Sequence, residues 1–276
     1  MPELPEVEVS RQGLLPYLPG HPLQAALFRV PKLRQPLSPI WAEEMAGHTL
    51  QGIARRGKYL LFDFDSQTGG GWLILHLGMS GSLRLVAPGT PPGKHDHVDL
   101  VFPHKVLRLK DPRRFGSLVW VRGPQVLDHP LLAPLGIEPL AGEFDGDWLF
   151  QATRGRQQPI KQLLMDAHRL VGVGNIYAAE SLFRARISPL APAGRLSRER
   201  CARLAAAVRE VLAESIAAGG SSVRDYVHSD GGAGSFQLHC AVYGRAGEPC
   251  PVCGKPVKVV RQGGRSSFYC PRCQRP

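Results

Sequence analysis

The chain reads as an α+β protein of two domains, a β-sandwich led by one helix and a helical half closed by a cysteine-rich tail. Three observations predict this. Residues 21–121 fall into short β-like runs separated by glycine- and proline-rich stretches. From residue 147 to about 230 the apolar residues take helical spacing. The tail, 240–276, holds two Cys-x-x-Cys pairs and is too short to bury a core of its own. We place the sandwich domain at 1–122, a connecting stretch at 123–146, the helical domain at 147–238 and the tail at 239–276.

The leading helix is expected over residues 5–18, where Val7, Leu14, Leu15 and Leu18 form a stripe. Pro5 suits a first turn, Glu6 and Glu8 suit its positive end, and Pro16 kinks or ends it. Strand-like runs follow at 23–30, 59–64, 72–77, 97–102 and 117–121. In the second half Ser197 is a natural N-cap for a helix whose apolar face carries Leu204, Val208, Val211, Leu212 and Ile216. Gly219 and Gly220 stop it.

Composition narrows the function classes. Of 276 residues, 43% are hydrophobic, enough for a real core, and 34 Lys and Arg against 23 Asp and Glu give a formal charge of +11. So basic a chain suits a polyanionic partner, although a generally basic proteome gives the same number. No run of 18 apolar residues occurs, so no membrane span is expected. The start lacks an apolar signal core, which argues against export and for a reducing, cytoplasmic setting where cysteines bind metal rather than pair.

The pairs Cys250-Pro251-Val252-Cys253 and Cys270-Pro271-Arg272-Cys273 stand 16 residues apart. That is the spacing of a four-cysteine tetrahedral zinc site; two disulfides are the alternative. With all four positions filled by thiolate, such a zinc is structural. The hairpin between the pairs carries Arg261, Gln262, Gly263, Gly264 and Arg265, a basic glycine-rich tip able to approach phosphate or simply to be solvated. Cys201 reads as helix packing and Cys240 as a strand residue, neither at zinc spacing.

Pro2 follows the initiator methionine. Its removal would bare a secondary amine able to attack an aldehyde carbon and form an iminium, and Glu3 and Glu6 are close enough in sequence to move protons. Alone, a Met-Pro start carries little.

The order of motifs carries more. Met1-Pro2-Glu3-Leu4-Pro5-Glu6-Val7-Glu8 opens the chain, followed by Arg55-Arg56-Gly57-Lys58-Tyr59 and His76-Leu77-Gly78-Met79-Ser80-Gly81. Lys94-His95-Asp96-His97, Asp111-Pro112-Arg113-Arg114-Phe115-Gly116 and Gly172-Val173-Gly174-Asn175-Ile176-Tyr177 come next, and the zinc tail closes the set. Taken together, nearly the whole chain resembles formamidopyrimidine-DNA glycosylase. The resemblance implies a β-sandwich facing a helix-two-turn-helix domain with a zinc finger, with duplex DNA in the cleft.

The resemblance also implies roles. Pro2 attacks C1′ of the damaged nucleotide, Glu3 acts as acid and base, Lys58 contacts phosphate and supports β-elimination, and Arg265 supports phosphate binding and δ-elimination. His95, Arg113, Arg156, Lys161 and Asn175 are DNA contacts by the same resemblance, with Arg154-Gly155-Arg156 open to a slip in register. Met79, Arg113 and Phe115 match the residues that fill the gap left by an extruded base. Read without the family, Lys58 is a strand-edge lysine, Asn175 a helix cap, and Met79 and Phe115 core residues. Segment 162–169 departs from the family pattern at positions without a catalytic role. Residues 221–237 resemble the lesion-covering loop, and base selectivity is not legible there.

The expected activity is therefore excision of 8-oxoguanine and formamidopyrimidines from double-stranded DNA, with backbone cutting by β,δ-elimination. One zinc ion and a monomer acting without a membrane are expected. An endonuclease VIII-like relative acting on oxidised pyrimidines is the first alternative; Arg113, Phe115 and the Glu-Leu-Pro start favour the purine branch. A non-catalytic zinc-ribbon DNA-binding protein is the second; the joint presence of Pro2, Glu3, Lys58 and Arg265 argues against it.

Overall fold

The computed structural model describes residues 1–221, 236 and 240–276. The chain divides into two compact units: Met1–Ala133 with the described residues 219–221, and Pro134–Ala218 with the described residues after 235.

The first unit opens with helix α1, Leu4–Leu14. Its start is a capping box: the Glu6 carboxylate accepts the Glu3 N–H at 2.7 Å, and the Glu3 carboxylate accepts the Glu6 N–H in return. Pro5 stands in the first turn, where its missing N–H costs nothing. The helix ends just short of Pro16. Val7, Leu14 and Leu18 are buried as expected, whereas Leu15, expected on the same stripe, is the C-cap just past the helix and is exposed.

Strand β1 (Ala25–Phe28) and helix α2 (Ile40–Met45) follow. Then come β2 (Leu50–Arg56), β3 (Tyr59–Phe64), β4 (Gly71–His76), β5 (Ser82–Val86), β6 (Asp96–Val101), β7 (Val106–Lys110) and β8 (Ser117–Arg122). They form two antiparallel sheets, ordered β1-β6-β7-β5 and β2-β3-β4-β8. Leu60, Phe62, Phe64, Leu73, Leu75, Leu118 and Trp120 of one sheet share a core with Leu83, Val98, Leu100, Leu107 and Leu109 of the other. Alternation along each strand supplies these inward positions. The predicted sandwich led by a helix is what forms.

The second unit holds α3 (Gly146–Thr153), α4 (Ile160–Leu164), α5 (Asn175–Arg184), α6 (Arg198–Ala217) and the hairpin β9 (Lys258–Gln262) with β10 (Arg265–Tyr269). Ser197 caps α6 by accepting from the Arg200 N–H at 3.2 Å. Leu204, Val208, Val211 and Leu212 are buried along α6, and Gly219 takes φ +77° just past its end. Tyr177 of α5 and Ser215 of α6 share a buried hydroxyl bond of 2.7 Å. Cys201 is buried on α6. Cys240, read as a strand residue, lies in no strand; its thiol meets the Phe236 carbonyl oxygen at 3.9 Å. No helix among the described residues is long and apolar enough to cross a membrane.

Candidate active site and nucleic-acid interface

The N-terminal residues are built into the fold. Pro2 is buried and Met1 exposed, and Glu3, the N-cap of α1, is buried as well. Glu6 does more than its neighbours in sequence reveal. One carboxylate oxygen holds the Glu3 N–H; the other accepts from the Ser221 N–H at 2.7 Å and the Ser221 hydroxyl at 3.0 Å. Gly220 approaches so near that a Cβ there would stand 3.1 Å from Glu6 Oε1. One buried carboxylate thus ties the backbone beside Pro2 to the start of the 221–237 segment. Of that segment, only 221 and 236 fall among the described residues.

Lys58 sits at the tip of the two-residue β2–β3 hairpin, after Gly57 at φ +57°. The hairpin is fixed to α1. Glu8 of α1 pairs with Arg55 at 2.9 Å, and Arg55 also donates to the Gly57 carbonyl oxygen at 3.0 Å. Burial raises the Glu8 pKa, but its bonds to Arg11 and Arg55 outweigh that and hold it below the usual carboxylate value. The rings of Tyr59 and His76 meet at 4.8 Å across the β3–β4 register. Burial, then the charges of Lys58 and Arg34, pull His76 from 6.5 down to about 4. The neutral ring accepts the Gly78 N–H on Nδ1 at 2.9 Å.

Met79 and Phe115 are each 44% exposed, the largest apolar groups on two adjoining loops. Neither is a core residue. The guanidinium of Arg113 lies 4.6 Å over the Phe115 ring. Asp111, fully buried, holds both loops: it accepts from the Ser80 hydroxyl at 2.8 Å and from the Gly116 N–H at 2.7 Å. His95, half-buried, joins this edge through its carbonyl oxygen, which accepts the Asp111 N–H at 2.9 Å.

In the second unit Lys161, Asn175 and Arg265 converge. Lys161 is 2% exposed, and its ammonium donates to Asn175 Oδ1 at 2.6 Å, Ser267 Oγ at 2.7 Å and the Ser266 carbonyl oxygen at 3.1 Å. Asn175 Nδ2 donates to that same carbonyl at 3.1 Å. Asn175 is the first residue of α5, so the positive end of that helix lies beside it. Arg265 opens β10 after Gly263 and Gly264, whose φ of +53° and +79° make the tight turn, and with Lys161 it lines a recess of about 100 Å³. Of the two arginines in question near 155, Arg154 folds back onto the Phe150 ring and the Leu196 carbonyl oxygen. Arg156 is the exposed one, and it takes no part in the hydrogen bonds of the Lys161 ammonium.

The four tail sulfurs lie within 4.8 Å of one another. The shortest separations across the knuckles, 3.4 and 3.9 Å, are far beyond a disulfide bond. Four cysteine sulfurs at this spacing suit tetrahedral zinc and leave no coordination position for water. The Cys273 N–H points to the Cys270 sulfur at 3.4 Å, and the Gln274 carboxamide accepts the Cys270 N–H at 2.8 Å. Such outer contacts orient metal thiolates.

Residues 1–118 match the formamidopyrimidine-DNA glycosylase N-terminal domain, 135–227 its H2TH domain, and 247–276 the zinc finger found in FPG and IleRS. A formamidopyrimidine-DNA glycosylase of Aromatoleum aromaticum is 58% identical over 275 residues, with both chains fully covered. The chain belongs to the formamidopyrimidine-DNA glycosylase family. The MutM (FPG) protein of Thermus thermophilus superposes with a TM-score of 0.87 at 43% identity, over 99% of this chain and 98% of that one. A point mutant of Lactococcus lactis FPG, in complex with DNA containing Fapy-dG, gives 0.92 at 34% identity, with both chains fully covered. As a member of this glycosylase family the chain acts on damaged DNA, and its tail carries a structural zinc ion.

Sequence reading missed Glu6 as a tie to Ser221, Asp111 as the organiser of the two exposed loops, and Glu180. The Glu180 carboxylate accepts the N–H groups of Ala241, Val242 and Tyr243 at 2.8–3.0 Å and so anchors the chain leading into the zinc finger. A glutamate on the apolar face of α5 was the available signal, since a buried carboxylate needs several donors.

Proposed function

We propose that the chain is a bifunctional glycosylase and lyase of base excision repair. It removes 8-oxoguanine and formamidopyrimidines from duplex DNA and cuts the backbone by β,δ-elimination. The observation that carries this is the N-terminal arrangement: Pro2 directly before a buried Glu3, on a helix start locked by Glu6 and tied through Glu8 and Arg55 to the hairpin of Lys58. The Fapy-dG-containing DNA held by the Lactococcus relative supports the substrate class.

Removal of Met1 frees the Pro2 amine, whose ordinary pKa of about 7.7–8.0 leaves a neutral fraction near neutral pH. The nitrogen lone pair attacks C1′ and the C1′–N9 bond breaks, its electron pair leaving with the purine, which takes up a proton. Glu3 in its acid form protonates O4′; the sugar ring opens and C1′ becomes an iminium carbon on Pro2. Loss of a C2′ proton expels the 3′ phosphate by β-elimination, and δ-elimination then expels the 5′ phosphate. Water hydrolyses the iminium and restores the amine. Lys58 and Arg265 hold the departing phosphates, with Lys161 and Asn175 fixing the same strand; His95 and Arg156 contribute further DNA contacts.

Met79, Arg113 and Phe115 act where the base leaves the stack. Apolar Met79 and Phe115 fill space, and the planar donors of Arg113 suit the O2 and N3 acceptors of an orphaned cytosine. An orphaned adenine offers a donor there instead. The test compares excision of 8-oxoguanine opposite cytosine and opposite adenine, for wild type and Arg113→Ala. The expected result is faster excision opposite cytosine, with the difference narrowed in the variant. Equal rates for wild type, or faster removal of thymine glycol, would instead support an oxidised-pyrimidine enzyme.

A further inference from the structure

At the far end of the zinc finger from Arg265, five arginines converge on one concave surface. Arg186, Arg200, Arg203, Arg272 and Arg275 line a recess of about 900 Å³ beside the zinc knuckles. Two rulers separate it from the Lys161 cluster. Helix α5 runs ten residues from Asn175 toward Arg186, about 15 Å, and strand β10 runs five residues from Arg265 toward the second knuckle, about 17 Å. The recess is therefore not part of the phosphate-binding cluster.

Its charge is poorly neutralised. Arg203 pairs with Glu199 at 2.8 Å on the exposed side of α6. Among the described residues no acidic side chain lies within ion-pair distance of Arg186, Arg200, Arg272 or Arg275. Arg200 donates to the Arg275 carbonyl oxygen and to a carboxylate oxygen of the last residue, Pro276, which offsets one of the five charges and fixes the rim. Burial and the charge of Arg203 both act against the Arg200 charge and lower its pKa.

Arg186 adds an independent sign. The N–H of Ile187 bonds the Leu182 carbonyl oxygen and that of Arg186 the Phe183 carbonyl oxygen, a Schellman stop for α5. At this position Arg186 takes φ +57°, where glycine is the relaxed choice. The chain keeps an arginine where local stability favours glycine, and that arginine faces the recess.

The recess adjoins a second pocket of about 330 Å³, which shares Arg186, Val252 and Cys273 with it and is lined also by Phe183 and Val211. The acidic groups of that pocket are already engaged: Glu214 pairs with Arg184 at 2.6 Å, and Glu180 holds backbone N–H groups. Val252 is 63% exposed between the two.

We propose that this double pocket is a docking site for an acidic peptide segment of a partner protein, its carboxylates on the arginines and an adjacent apolar side chain against Phe183, Val211 and Val252. A concave recess admits side chains reaching in from a peptide, whereas a rigid duplex presents phosphates on a convex surface. The site is also separated from the phosphate cluster, and the apolar neighbour has no counterpart on a phosphodiester.

The test uses the full zinc-bound chain and fluorescence anisotropy. The probes are a fluorescein-labelled acidic peptide with consecutive aspartates followed by phenylalanine, the same peptide with asparagines, and a labelled short thymidine strand. The aspartate peptide should bind and the asparagine peptide should not. R203E/R275E should weaken peptide binding at least about tenfold, and R203K/R275K should restore it. R186G should weaken the peptide while raising the melting temperature, so the loss cannot be assigned to misfolding. Nicking of DNA with an abasic site should be unchanged in all three variants. Equal peptide binding by wild type and R203E/R275E overturns the proposal. So does a marked loss of thymidine-strand binding in that variant without loss of peptide binding, which would make the recess a nucleic-acid site.

Discussion

Gly78 lies so close to the chain at Phe115 that a Cβ built on it would stand 2.3 Å from the Phe115 carbonyl carbon. The loop that exposes Met79 and the loop that exposes Arg113 and Phe115 therefore touch backbone to backbone, with Asp111 bonding to both. The three side chains proposed to fill the gap behind an extruded base are held as one unit.

Gly78→Ala should break that unit. Gly78 has φ +64°, so the substitution adds left-handed strain to the clash. The expected cost exceeds about 1 kcal/mol in urea unfolding, together with slower excision of intact lesions. Gly89→Ala is the control, because Gly89 has φ +81° with nothing within 4 Å of the added atom. It should show the strain alone and normal excision.

Lys161→Met should weaken duplex binding at least about tenfold and lower the slope of log affinity against log salt by about one. The buried ammonium organises Asn175 and the start of β10, so the loss should exceed that of Arg265→Ala, an exposed side chain. Filter-binding titrations across a salt series would measure both. A variant with the wild-type slope would remove Lys161 from the phosphate contacts.

His76 predicts a pH dependence. Unfolded it titrates near 6.5, folded near 4, so between these values the unfolded chain binds more protons and stability rises with pH. The contribution is complete above about pH 6.5 and is lost as pH falls toward about 4. The urea midpoint should therefore fall on moving from neutral to mildly acidic buffer. His76→Asn, whose Oδ1 can accept the Gly78 N–H in place of Nδ1, should flatten that fall.

Metal analysis should return one zinc per chain. Cys250→Ser or Cys273→Ser should lower zinc content and loosen the hairpin that carries Arg265, while Cys201→Ser and Cys240→Ser should leave the metal unchanged.

The sequence was most legible where a local rule decides the structure. The β-like run at 59–64 specified β3 to the residue, Ser197 specified the start of α6, and the cysteine spacing specified the metal cluster. Contacts between distant segments were not legible. Nothing in local pattern says that Glu6 meets Ser221, that Asp111 reaches Ser80, or that Lys161 is buried against β10. Periodicity also placed Leu15 on the buried stripe, because the pattern does not show where the helix stops. The exposed Met79 was foreshadowed by its flanking Gly78, Ser80 and Gly81, which do not suit a core strand.

The central claim is that the Pro2 amine is the nucleophile, and borohydride trapping tests it most directly. Duplex DNA with one 8-oxoguanine opposite cytosine is incubated with the zinc-bound enzyme and borohydride, and the crosslinked peptide is located by mass spectrometry. The account predicts a reduced covalent adduct on Pro2 of the Met1-processed chain, and none when an extra residue is left in front of Pro2. An adduct mapped to Lys58 or another lysine, or undiminished trapping by the blocked chain, would contradict it.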